Sequence, residues 1–169
     1  MNAIIRDALA ADLPDILRIT NDAILNTTAV WHVTPATLEA RTQWWQERVA
    51  RGFPVLVAET ALGPATVAGF ASYGDFRPFA GYAATVEHSI YVDPSAQGQG
   101  IGRTLLAALI DRATQDGHHV MVGGIEAGNA ASVALHRKAG FVEAGVLREV
   151  GRKFDRWLDL LFMQKILGA

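Results

Sequence analysis

Cysteine is absent from the 169 residues, so the chain can build neither a disulfide framework nor a cysteine nucleophile. No apolar run reaches the 18 residues that a membrane-spanning helix requires. Charge is sparse and balanced: charged residues make up 19%, with 15 basic against 17 acidic side chains and a net charge of −2. That balance argues against a broad nucleic-acid surface. There is no low-complexity linker, no block of like charge and no internal repeat. The first thirty residues carry Asp7, Asp12, Asp15 and Asp22, which do not suit a signal peptide, and a cytoplasmic location is the expectation. What the chain does have is apolar material. Half of it is hydrophobic, enough at this length to fill one core, and a single domain over residues 1–169 is expected.

Periodicity divides the chain into alternating elements. "AIIRDAL" (3–9) reads as a strand. Asp12 can cap a following helix with Pro14 in its first turn, and Thr34 or Thr37 a second helix that Gly52 ends. Strands are expected over 53–59, 66–74, 84–92, 119–126, 141–151 and 156–167, with a loop at Gly63-Pro64 and an irregular segment "DFRPFAGY" (75–82). Helices are expected from about Gln99 to Asp116 and from Asn129 to Lys138, the latter ended by Gly140. This is a mixed α/β pattern with a hairpin-rich centre rather than regular βαβ repetition. Of the adjacent Trp44 and Trp45, only one is expected to face the core well.

The glycine-rich turn between residues 92 and 103 carries the most chemistry. Strand, glycine turn and helix is an arrangement that holds phosphate, because free N–H groups at a helix start point at the anion. Gly98, Gly100 and Gly102 do not form a Rossmann fingerprint, since Arg103 stands where the third glycine belongs. Nor do Arg103, Thr104 and Leu105 complete a P-loop. What remains is Gln97-x-x-Gly100-x-Gly102, and those residues alone are equally an ordinary turn whose glycines serve geometry.

The pattern resembles the pyrophosphate loop of the GCN5-related N-acetyltransferases, Gln/Arg-x-x-Gly-x-Gly/Ala. "EHSIYVDP" before the loop resembles the strand that family places there. "NAASVALHRKAGF" (129–141) resembles its Asn-x-x-Ser/Ala-x-x-Leu-Tyr-x-x-x-Gly-Phe helix. With "GRKFDRWLDL" (151–160), the likeness extends over nearly the whole chain and points to the phosphinothricin and methionine sulfoximine acetyltransferase branch.

The resemblance implies an acyl-CoA N-acyltransferase fold of α/β (α+β) type, with a mixed, mostly antiparallel central sheet and flanking helices. It implies acetyl-CoA as co-substrate, no metal, no covalent enzyme intermediate and a homodimer. The acceptor it implies is the α-amine of a small L-amino acid or analogue such as phosphinothricin, methionine sulfoximine or methionine sulfone. Gln97, Gly98, Gln99, Gly100, Ile101, Gly102 and Arg103 would hold the pyrophosphate. The main chain of Ile90, Tyr91 and Val92 would pair with the pantetheine arm where two strands splay. Asn129, Ser132 and His136 would reach the cofactor from one helix face.

Along residues 84–92, Val86, His88, Ile90 and Val92 alternate with Thr85, Glu87, Ser89 and Tyr91. The polar face puts a carboxylate beside the phosphate loop. An ammonium cannot attack a thioester until it loses a proton, so Glu87 is the candidate base, directly or through water; a salt-bridged surface glutamate is the alternative from the residues alone. In the resembling branch a glutamate here has the catalytic role. His88, on the other face, is expected to be a satisfied core histidine. His136 stands where most of the family has tyrosine, and is either an acid for the departing thiolate or only a cofactor ligand. His118-His119 lacks metal-ligand spacing. Arg77 is the candidate clamp for a substrate carboxylate, with Phe76 as a packing wall. Trp31 either floors the pocket or seals the core. Arg152, Lys153 and Arg156, near Phe154 and Trp157, either line the site or form a subunit contact. The rival functions are the same chemistry on a polyamine, aminoglycoside or protein N-terminus, and an acyl-CoA sensor without turnover.

Overall fold

Among the described residues, short runs rich in Val, Ile and aromatic residues form seven strands, and amphipathic stretches between them form four α-helices. The computed structural model describes residues 3–60 and 66–168. In chain order the elements are β1 (Ala3–Asp7), α1 (Leu13–Asn26), α2 (Leu38–Ala50), β2 (Val55–Thr60), β3 (Thr66–Asp75), β4 (Thr85–Val92), α3 (Ile101–Gln115), β5 (Val120–Glu126), α4 (Ala130–Lys138), β6 (Val142–Lys153) and β7 (Arg156–Ile166). They make one sheet in the order β1-β2-β3-β4-β5-β7-β6. Every neighbouring pair is antiparallel except β4 with β5, as the expected mixed, mostly antiparallel sheet requires. The expected Gly63-Pro64 loop lies outside the described residues.

The sheet carries a core on each face. β2 shows how: Leu56 and Ala58 join Leu105, Leu106 and Leu109 of α3, while Val55 and Val57 join Ile16 and Ile19 of α1. A strand covered on both sides reads as an unbroken apolar run, as "VLVA" does. Each fully buried aliphatic side chain contributes about 1.5–3 kcal/mol, so both helical layers are held firmly to the sheet.

Local signals mostly act as read. Thr37 Oγ1 accepts from Ala40 N–H at the start of α2. Gly52 and Gly140 take left-handed φ values of 77° and 88° just beyond α2 and α4. Two expectations fail for tertiary reasons. The Asp12 carboxylate does not cap α1. It accepts instead from Leu9 N–H and from both terminal nitrogens of Arg6, an ionic partner on β1 that outweighs a local cap. Trp44 and Trp45 both pack against the α1-side core, Trp44 edge-on to Phe70 with centroids 6.3 Å apart. The third helix also begins later than expected, at Ile101, because Gly100 is left-handed with φ 84°.

Candidate active site

Parallel pairing of β4 with β5 ends at His88 opposite Gly123, although β4 runs on to Val92 and β5 to Glu126. The strands splay there, as the resemblance implied, and a cavity of about 630 Å³ opens between them. Its walls are Ser89 to Val92, Gly123 to Glu126, the loop before α3, and Asn129, Ser132 and His136 of the α4 side. Asp93 shapes the corner by accepting from Ser95 N–H and from Arg18. Gly98 and Gly100 are left-handed, and a Cβ at either would meet nothing within 4 Å. Gly100 offers no side-chain cap. The first N–H groups of α3 are thus left for an anion on the cavity side. Gln97, Gly98, Ile101, Gly102 and Arg103 line the cavity with it. Gln99 does not: its amide donates to Ser95 O at 3.2 Å and it borders a different depression.

The glycine pair in β5 clears space on both faces of the sheet. A Cβ on Gly123 would lie 3.0 Å from His88 Nε2 and 3.3 Å from His136 Nε2. Those rings stack at 16° with Nε2 atoms 3.2 Å apart. His136 Nδ1 is 2.7 Å from Ser132 O, and a carbonyl only accepts, so Nδ1 carries the proton. His136 Nε2 is then an acceptor, and His88 Nε2–H must be its donor. His88 Nδ1 is left enclosed with no partner. Burial drives both imidazoles toward the neutral form, His88 down to about 3. His88 is therefore no satisfied core histidine but half of a pair on the cavity wall. His136 keeps its Nδ1 proton on the Ser132 carbonyl and turns its accepting Nε2 to His88. Asn129 Oδ1 accepts from Ser132 N–H, so it caps α4 at the cavity edge.

On the opposite face, a Cβ on Gly124 would lie 3.2 Å from Glu87 Oε1. Glu87 is half-buried on β4; burial pushes its pKa up, and Arg77 pulls it back down. Arg77 stacks over the Phe76 ring at 4.2 Å and donates to Phe76 O. Phe76 in turn packs edge-on against Phe162 of β7. Arg77 is thus in contact with Phe76 and near enough to Glu87 to act on its charge. Trp31 does not join them: its ring lies where a Gly151 side chain would be, and its N–H donates to Thr28 O at 2.9 Å. It seals the loop after α1 against β6. That loop is also tied by Lys153, which is buried and donates to Thr27 O and Val30 O, each at 2.6 Å. Thr27 and Ala29 thereby reach the cavity.

Sequence reasoning missed two arrangements here. The His88–His136 pair joins residues 48 apart, and nothing local announces it. Arg48 of α2 lays its guanidinium over Gly74, in the space a Cβ there would fill, and Gly74 is the register partner of Glu87. A glycine inside a strand was the available signal, since it marks close approach of another group.

A helix start open to an anion, with a splayed strand pair beside it, suits a ligand that carries phosphate on a long arm. The chain belongs to the acetyltransferase (GNAT) family, whose model matches residues 16–141. It is 56% identical over 164 residues, covering 97% of this chain and 94% of the relative, to an L-methionine sulfoximine/L-methionine sulfone acetyltransferase of Pseudomonas paraeruginosa. Among solved structures it is similar to a ribosomal-protein-alanine N-acetyltransferase from Brucella melitensis, with 58% identity and a TM-score of 0.94 over 97% of this chain and 99% of that one. It is also similar to a phosphinothricin acetyltransferase from Sinorhizobium meliloti in complex with acetyl-CoA, with 39% identity and a TM-score of 0.95 over 99% and 90%. Among the described residues no helix is long and apolar enough to cross a membrane.

Proposed function

We propose that this acetyltransferase moves the acetyl group of acetyl-CoA to the α-amine of a small L-amino acid or analogue of the methionine sulfone, methionine sulfoximine or phosphinothricin type. The observation that carries this reading is the half-buried Glu87, set at the splay with Arg77 beside it. Acetyl-CoA supplies the thioester. The N–H groups at the start of α3 hold its pyrophosphate, and the β5-facing edge of Ile90 to Val92, past the end of the β4–β5 pairing, aligns its arm. Arg77 holds the acceptor carboxylate. Glu87, with its raised pKa, takes a proton from the ammonium, directly or through water. A main-chain N–H at Ile90 or Tyr91 stabilises the tetrahedral oxyanion. The thiolate then leaves and takes up the remaining amine proton, so His136 serves as a neutral wall rather than an acid. A protein N-terminus is also an α-amine, but it has no free carboxylate for Arg77. A polyamine would call for acidic rather than basic surroundings, and a sensor without turnover would need no base.

The same reading takes the chain as one domain over 1–169 and cytoplasmic. It also takes it as a homodimer: β6 leaves Val142, Val146, Leu147 and Val150 exposed on the edge of the sheet. A monomeric mass by light scattering would remove the second copy.

Glu87→Gln tests the chemistry. It keeps the shape and removes the base, so turnover read by thiol release should fall about 10²–10⁴-fold while acetyl-CoA affinity stays. Activity should recover as pH rises and more acceptor arrives as free amine. A variant near wild-type rate at neutral pH would end the assignment. Wild-type protein that binds acetyl-CoA yet acetylates no amine would favour the sensor.

A further inference from the structure

Seven of the twelve arginines pair with carboxylates. Among the described residues, the half-buried arginines without such a partner are Arg41 and Arg48, both on α2. Neither donates a hydrogen bond to the protein, and Arg41 Nε is enclosed with no acceptor. An unpaired buried donor is costly, and a desolvated guanidinium more so, which is why such groups are normally satisfied. Burial lowers the pKa of both. Asp75 attracts Arg48 only from a distance, because Arg51 holds its carboxylate.

Their placement says what is missing. Seven residues apart, they share one helix face, with Trp44 between them: Arg41 Cζ lies 4.7 Å and Arg48 Cζ 5.8 Å from its ring centroid. Arg48 rests on Gly74, the register partner of Glu87. Arg41 acts on Tyr91, which shares the face of β4 that carries Glu87. Between those levels lie the paired Ser72 and Ser89. The two cations thus flank the same polar stripe of the sheet that begins with the proposed base.

We propose that Arg41 and Arg48 form a second anchor for the acceptor, taking the acceptor atoms of a tetrahedral side-chain group: the two oxygens of a sulfone or phosphinate, or the oxygen and imino nitrogen of a sulfoximine. This rests on the amino-acid acceptor proposed above and adds what selects it. Guanidinium N–H groups match a centre that presents two acceptor atoms side by side. Glu87 takes the ammonium, Arg77 the carboxylate and α2 the far end, so three points fix the stereocentre. A thioether side chain has no oxygen to offer and leaves both cations unsatisfied.

Methionine sulfone and methionine differ only in the two sulfonyl oxygens, and that pair is the probe. Arg41→Met and Arg48→Met keep the apolar stem over Trp44. Each should lower kcat/KM for the sulfone roughly tenfold to hundredfold and leave methionine within about twofold. Acetyl-CoA affinity should be unchanged, which also shows that the variants fold. Where a Met variant loses that affinity, the Gln variant at the same position takes its place. An equal fall on both acceptors, or no fall on either, overturns the anchor. If the wild type acetylates neither, the proposed reaction fails, and calorimetry with the CoA-loaded protein judges the anchor alone. Sulfone-selective binding that disappears in the variants upholds it, and the absence of such binding overturns it.

Discussion

Gly123→Ala and Gly124→Ala are adjacent, chemically identical changes that should do different things. A methyl on residue 123 would sit 3.0 Å from His88 Nε2 and 3.3 Å from His136 Nε2, atoms that bond each other at 3.2 Å. The methyl wedges the pair, both rings retreat, and two enclosed nitrogens lose their partner. Such a loss costs about 1–3 kcal/mol, partly offset by about 0.4–1 kcal/mol from stiffening the unfolded chain. A net loss of about 1–2 kcal/mol should lower Tm by roughly 2–8 °C for a chain of this size. Acetyl-CoA should bind more weakly too, because Gly123 and both rings line the cavity. On residue 124 the methyl would meet Glu87 Oε1 at 3.2 Å, the free end of a side chain that can swing, and Leu160 Cδ1 at an ordinary 3.4 Å. Stability should stay within about 0.5 kcal/mol, and turnover should fall while acetyl-CoA affinity holds. Thermal melts, calorimetry and thiol release on the two variants decide the matter. If the variants lose stability, affinity and rate in the same proportions, the glycines do not clear separate faces. If Gly123→Ala is as stable as wild type, the histidines are not bonded.

Gly100→Asp forces a side chain into a left-handed position, φ 84°, and adds negative charge at the helix start, so calorimetry should find acetyl-CoA binding abolished. The histidine pair also sets an acid limit on stability. The folded pKa of His88 is depressed to about 3 from an unfolded value of 6.5, so its stabilisation is complete above pH 6.5 and is lost as pH falls toward 3. Between those values the unfolded state holds the extra proton, and stability falls by about 1.4 kcal/mol per pH unit for this one group. His88→Leu should make urea midpoints between pH 7 and pH 4 less steep in pH, and an unchanged slope would place the histidine in solvent.

What could be read from the sequence was what neighbours in the chain decide. Asn129 caps α4 through a bond to the residue three along. The turn at Gly100 needs a left-handed residue, and strand alternation put Glu87 and His88 on opposite faces before any fold was known. What could not be read depends on partners far apart in sequence. Asp12 looked like a cap and is held by Arg6, a strand residue. Trp31 is stacked on Gly151, 120 positions away in a hairpin whose path over the loop no local pattern predicts. The resemblance to a family suggests a role for Glu87, and the chemistry of a carboxylate one for Arg77. Neither bears on Arg41 and Arg48, which carry no local signal in a helix of mixed charge; only the sheet places Gly74 beneath one of them.

The ammonium of Lys153 divides the molecule in time as well as in space. Strand β4, the glycine turn and α3 are contiguous, so that side of the cavity is built from nearby segments. The loop after α1, which borders the same cavity, is fastened by bonds from Lys153 to Thr27 and Val30 that span 126 and 123 residues. Closing so long a segment must await the C-terminal hairpin. A nascent chain therefore cannot finish this wall of the cavity until Lys153 has been made. When the hairpin frays, the loop after α1 is the part of the wall released with it.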